Sequence, residues 1–316
     1  MLGLYPSIKP FHSEHLEVGY PHRIYLEQCG DPEGLPVLIL HGGPGSGCDA
    51  MHRRLFDPEK YRIILLDQRG CGHSTPHAEL HENHTQALLA DINQVRQHLG
   101  IEQWVIYGDA WGSTLALLYA QAHPDYVSGL ILQSVFLARK CDREWLYQHG
   151  ANQIFPDYWQ DFINHLTHDE RHNVINAYYE LLTSSNELAR MSAAKEWANW
   201  TAQCATLQPH DKFIQHFTDP CHALSYARIA CHYALHDYFL TENQILPAMH
   251  CLEHVPCIII HGRYDMVYPV QTAWTLHQAY PASELIIIRE AGHAASESGI
   301  IDAVIHAGKK LITQLQ

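Results

Sequence analysis

Val105-Ile106-Tyr107-Gly108-Asp109-Ala110-Trp111-Gly112-Ser113-Thr114 decides how the rest of the chain is read. A short apolar run stops at Gly108, and a helical pattern begins after Gly112. Strand, tight turn and helix in that order make a nucleophile elbow, whose pattern is G-x-S-x-G. Gly108 and Gly112 hold the two glycine places and Ala110 stands between them. The elbow is present and its nucleophile is not.

Outward from the elbow, short wholly apolar runs end in glycine-rich turns. Residues 37–40 lead into His41-Gly42-Gly43-Pro44-Gly45, and 62–66 into Asp67-Gln68-Arg69-Gly70-Cys71-Gly72. Runs at 104–107, 129–133, 257–261 and 285–289 have the same character. Strands apolar on both sides suit a parallel sheet covered on both faces. Residues 15–19 and 22–28 alternate around Tyr20-Pro21 and predict an antiparallel hairpin. Helical spacing is expected over 88–99, stopped at Gly100, and over 114–122, stopped before Pro124. From about 140 to 244 there is no strand-like run. Helical stretches rich in Trp, Tyr and His follow at 158–166, 169–182, 187–204 and 222–236. The expected fold class is α/β, a mostly parallel sheet with helices on both faces and an inserted helical cap.

In such sheets, sites form beyond the carboxyl ends of the strands. The glycines after His41 let backbone N–H groups face a developing oxyanion, with the N–H of Trp111 as second donor. Asp265 follows the strand that ends at His261, and His293 follows the next. Elbow, Asp, His is a triad order in which the carboxylate orients an imidazole base. Asp109 reads as a solvated or turn-bonded carboxylate, because it precedes the nucleophile place and points elsewhere on so tight a turn.

Composition narrows the partners. The chain has 316 residues, 47% hydrophobic and 17% charged, with a net charge of −14. An acidic balance argues against nucleic acid, whose phosphates need a basic face. Nine cysteines, an odd number without C-x-x-C, favour a reduced, cytoplasmic protein over a disulfide framework. Met1 to Pro10 lacks an apolar core, so no signal peptide is expected, and no run approaches a membrane span. Among 26 histidines, His77, His81 and His84, and His232 and His236, have helix-face spacing. A metal site also needs further ligands and a supporting shell. Neither metal nor cofactor is expected, and the partner is a small molecule or short peptide.

The stretches HGGPGSG (41–47), DQRGCGHSTPH (67–77), WGSTLALLYAQAHP (111–124), FPDYW (155–159), ARIACHY (227–233) and HGRYDMVYP (261–269) make a specific resemblance. The chain resembles the prolyl aminopeptidase (proline iminopeptidase) family, serine peptidases of the α/β-hydrolase fold. The resemblance implies a core of 1–138 and 248–316, a cap of 139–247, and release of N-terminal proline from peptides. It implies Asp265 and His293 as triad members, Gly43 and Trp111 as oxyanion-hole residues, and Phe136 and Tyr147 in the pyrrolidine pocket. The departures lie at the same site. Ala110 replaces the serine, Thr201 and Ala230 replace two amine-binding glutamates, Ala234 replaces a pocket aromatic, Tyr268 replaces a small residue, and Asp109 replaces a common glycine. Three readings follow: a peptidase whose nucleophile has been removed, a ligand-binding member without hydrolysis, or a non-hydrolytic enzyme using Asp265–His293 as base.

Overall fold

The computed structural model of the chain describes residues 1–315. Eight strands form one sheet: β1 His12–Glu17, β2 Arg23–Gly30, β3 Leu35–Leu40, β4 Tyr61–Asp67, β5 Trp104–Asp109, β6 Val127–Gln133, β7 Cys257–Gly262 and β8 Ser283–Ile288. Their order across the sheet is β1-β2-β4-β3-β5-β6-β7-β8. β2 pairs antiparallel with β1 and β4, and every later pairing is parallel. All six apolar runs therefore fall in one mostly parallel sheet, with the hairpin at its edge. The first hairpin strand begins three residues earlier than expected, and β8 is set back by one or two. At both places pairing register overrides local apolarity, since β8 matches β7 from Cys257↔Ser283 to Gly262↔Ile288.

Successive side chains of a strand face opposite ways, and two cores result. Leu38, Leu40, Ile64, Leu66, Ile106, Leu130 and Leu132 pack on one face with Leu88 and Ile92 of α1 (Thr85–His98) and Leu115 of α2 (Trp111–Ala122). Their neighbours Val37, Ile39, Ile63, Leu65, Val105, Tyr107 and Ile131 pack on the other face, under a C-terminal helix that supplies Ile300, Val304 and Leu311.

Between β6 and β7 lie seven helices: α3 Lys140–Tyr147, α4 Ala151–Ile154, α5 Pro156–Ile163, α6 Val174–Thr183, α7 Glu187–Ala205, α8 Asp211–Phe217 and α9 Pro220–Leu235. After β7 come α10 Val270–Ala279 and, closing the chain, α11 Ser298–Leu315. The stretch expected as one helix over 169–182 is broken at Asn173, whose side chain accepts from the Asn176 N–H and restarts the chain as α6. Asn186 caps α7 in the same way, and Asp219, followed by Pro220, caps α9. α8 was not foreseen from helical spacing. Among the described residues no helix is long and apolar enough to cross a membrane.

Register brings the functional strand ends together. Leu40 pairs with Gly108, Asp109 with Gln133, and Gln133 with Ile260. The glycine loop, the elbow and the Asp265 turn thus leave the sheet along one edge.

Candidate functional site

The elbow turn is held by its neighbours. Ala110 sits at φ 51°, ψ −114°, a region that costs a non-glycine residue of order 1–3 kcal/mol. A Cβ on Gly108 would collide with the carbonyl of Gly112, and one on Gly112 with the carbonyl of Leu40. Only glycines let β5, α2 and β3 meet this closely. The Ala110 N–H donates to the Gln133 carbonyl (3.0 Å), and its own carbonyl accepts from Ser113 Oγ (2.6 Å).

The glycine loop runs against this turn. A Cβ on Gly42 would lie 3.2 Å from the Ala110 methyl and 3.4 Å from Asp109 Oδ2. His41, fully buried, accepts from the Gln68 N–H at Nε2 (3.1 Å), and its Nδ1 lies 2.8 Å from the Gly42 carbonyl. Burial pushes its pKa down to about 4, so the ring is neutral. Gln68 also donates to the His41 carbonyl (2.9 Å) and accepts from the Trp111 indole (3.0 Å), which ties the loop to α2. The backbone N–H groups of Gly43 and Trp111 have no acceptor among the described residues.

Asp265 Oδ1 accepts from the N–H groups of Val267 (3.0 Å) and Tyr268 (2.8 Å), while Oδ2 meets His293 Nδ1 at 2.9 Å. Burial works to raise this carboxyl, but the adjacent His293 outweighs it and holds the pKa below the usual range. Burial likewise works to lower His293, and Asp265 outweighs it, so the imidazole is raised. The His293 loop is anchored from two sides. Its carbonyl accepts from Gln133 Nε2 and Ser134 Oγ (both 3.1 Å). Its N–H and that of Ala294 both donate to the carbonyl of Ala205, the last residue of α7 (2.9 Å each). Glu297 adds a bridge, accepting from the N–H groups of Gly292 (2.9 Å) and Leu207 (3.1 Å).

A cavity of about 390 Å³ opens over this floor. Ala110, His293, Gly43, Thr201 and Tyr268 line it, and Asp265 stands directly behind His293. Phe136, Tyr147, Ala230 and Ala234 do not reach it. Phe136 is covered by Tyr268 (centroids 4.3 Å apart, stacked) and Tyr238 (4.8 Å, edge-on), and Tyr147 stacks on Trp197 (4.4 Å). Ala230 and Ala234 are buried in the α9 interior. Trp111 does not line the cavity; its ring is buried against Tyr233 and Tyr238.

Sequence reasoning missed several lining residues: Asp49, His52, Phe213, Phe217 and Tyr226. Asp49 and His52 lie in a non-repetitive loop, and no local pattern marks them. The histidine spacings have other uses. Residues 77–84 form a loop rather than a helix face, with His84 capping α1 and His77 Nε2 on the Cys221 carbonyl (3.1 Å). The rings of His232 and His236 lie 4.6 Å apart at the end of α9, and His232 is lowered by burial to about 4. Among the described residues no group of three or more His, Cys, Asp or Glu side chains is arranged to hold a metal ion.

Asp109, expected as a solvated or turn-bonded carboxylate, is half-buried: it lines the cavity, and its Oδ1 is sealed from solvent with no hydrogen-bond partner. Burial pushes its pKa up to about 6, against the opposing pull of His293 and His52. The folded chain therefore holds this proton to a higher pH than the unfolded chain. Ionisation then costs stability: nothing below about pH 4, growing through about 6, and complete above it. Two pKa units correspond to at most about 3 kcal/mol. Asp109→Asn should raise the melting temperature by several degrees at pH 8 and hardly at pH 4.5. Equal shifts at the two pH values in calorimetric scans would show that the carboxyl is not buried in this way.

The family profile of the alpha/beta hydrolase fold matches residues 36–299. Proline iminopeptidase of Xylella fastidiosa (strain 9a5c) is 47% identical over 308 residues, covering 97% of this chain and 98% of the relative. That of Arabidopsis thaliana is 43% identical, covering 98% of this chain and 82% of the relative. The crystal structure of proline iminopeptidase from Mycobacterium smegmatis superposes with a TM-score of 0.65 at 17% identity, over 96% of this chain and 99% of that one, a likeness of fold. The chain belongs to the proline iminopeptidase family of α/β hydrolases.

Proposed function

We propose that this chain no longer performs acyl transfer at residue 110 and keeps the surrounding apparatus as a binding site for a small molecule or short peptide. The observation that carries this is the methyl group of Ala110 at the tip of the elbow, where a hydroxyl would have to stand. A methyl cannot attack a carbonyl, so no acyl-enzyme forms there. The dyad and the two free N–H donors remain, and they are what a bound carbonyl would meet. Residues 1–138 and 248–316 are taken as the core and 139–247 as the cap. A cytoplasmic setting is supported by the odd, scattered cysteines.

A fluorophosphonate probe tests this directly. Mass spectrometry should find no adduct at residue 110 in the unmodified chain and a stoichiometric one in Ala110→Ser. Labelling of another residue in the cavity with turnover of prolyl substrates would overturn the proposal. A second reading, Asp265–His293 as base in non-hydrolytic chemistry, is favoured by the intact 2.9 Å pair. It requires solvent deuterium to enter a bound ketone at the α-carbon, and to stop entering in His293→Ala.

A further inference from the structure

We propose that the cavity takes an uncharged carbonyl compound with an apolar body, an ester or amide without a free amine, seated against Met51, Phe213, Phe217 and Val267. This rests on the binding reading above and names the ligand class. The ring place beside Phe136 is closed, because Tyr268 and Tyr238 cover that side chain and leave it fully buried. Free space lies instead in the cavity that Ala110 itself lines, whose lining includes these four side chains and not Phe136.

Three carboxylates line the cavity, Asp49, Asp109 and Asp219, and each is either engaged by neighbours or neutral below about pH 6. At position 201 the Thr hydroxyl accepts from Tyr226 Oη (3.1 Å) and lies 3.3 Å from the Trp197 carbonyl, so its own hydrogen-bonding capacity is used. The Ala230 side chain is out of reach. Asp49 accepts from the Met51 N–H (2.7 Å) and pairs with His52 (3.3 Å). Asp219 is spent capping Cys221 and His222 at the start of α9 (3.1 and 3.3 Å). Asp109 is the remaining acid, and its burial favours the neutral form. Facing these are the imidazoles of His52 and His293, both held above the ordinary value by carboxylate partners despite burial. A cation entering here meets an apolar wall, and desolvating it without a partner is strongly unfavourable. A neutral carbonyl finds the unpartnered N–H of Gly43 in the lining and loses apolar surface to the wall.

Titration calorimetry on the unmodified chain at pH 5, below the Asp109 pKa of about 6, tests the class with two probes, N-acetyl-L-phenylalanine methyl ester and L-prolinamide. The ester should saturate and bind at least tenfold more tightly than prolinamide. Phe217→Asp should weaken the ester at least tenfold with an unchanged circular dichroism spectrum, and Phe217→Leu should retain it. Tighter binding of prolinamide, binding of neither probe, or an ester affinity indifferent to Phe217→Asp would each overturn the inference. Failure of the binding reading would look different: the ester would be converted to acid and methanol, visible in proton NMR of the titrated solution.

Discussion

Ala110→Ser should raise hydrolysis of a small activated ester such as p-nitrophenyl acetate by at least about 10³-fold. Removing the nucleophile of a serine hydrolase costs about 10⁶ in turnover and leaves roughly 10³ over water from the oxyanion hole and binding. Here the surrounding parts are in place: a turn that presents residue 110 to the cavity, His293 lining the same cavity with Nδ1 held by Asp265, and backbone N–H groups of Gly43 and Trp111 without acceptors. Release of proline from L-prolyl p-nitroanilide should lag far behind. Tyr268 stacks on Phe136, and position 201 in the cavity lining carries a hydroxyl rather than a carboxylate. Thr201→Glu adds a carboxylate at the cavity wall, whereas a carboxylate at Ala230 would be buried behind it. Efficient proline release from the single serine change would overturn the remodelled-pocket reading. Efficient release by the unmodified chain would overturn the loss of acyl transfer itself.

In the Ala110→Ser background, Asp265→Asn should then remove about 10⁴ of the recovered turnover. That is the scale seen when a triad carboxylate is replaced by an amide that favours the wrong imidazole tautomer. The same change can be followed in the unmodified chain without any activity. Asp265 is what raises the His293 imidazole against its burial, so in Asp265→Asn the His293 resonance should titrate at lower pH in proton NMR. An unmoved titration, or a serine variant indifferent to Asp265→Asn, would show that the 2.9 Å contact does not set the state of the base.

What the sequence showed and what it hid divide by the physics involved. Parallel strands buried on both faces must be apolar throughout, so 37–40, 62–66, 104–107 and 257–261 were legible without tertiary information. The order of elbow, Asp265 and His293 was legible because each sits at a strand end marked by glycine. The shape of the cavity was not. Phe213 and Phe217 come from a short helix that carries no long periodic signal, and Tyr238 reaches Phe136 only through a turn with three successive residues at positive φ. Asp109 misled because a turn carboxylate beside glycines ordinarily faces water. The anchor of the His293 loop is a backbone carbonyl, that of Ala205, and a backbone atom leaves no mark on composition.

The elbow has one further consequence, on the evolutionary scale. Its strained turn is enforced by close approaches of Gly108 and Gly112 to neighbouring backbone, so it persists whatever side chain stands at 110. Selection for a folded sheet therefore preserves the geometry even where selection for turnover has lapsed. Alanine and serine codons differ at a single base in their GCN and TCN families. A serine on this preformed turn is therefore a single base change away, and it would meet the cavity as it now stands.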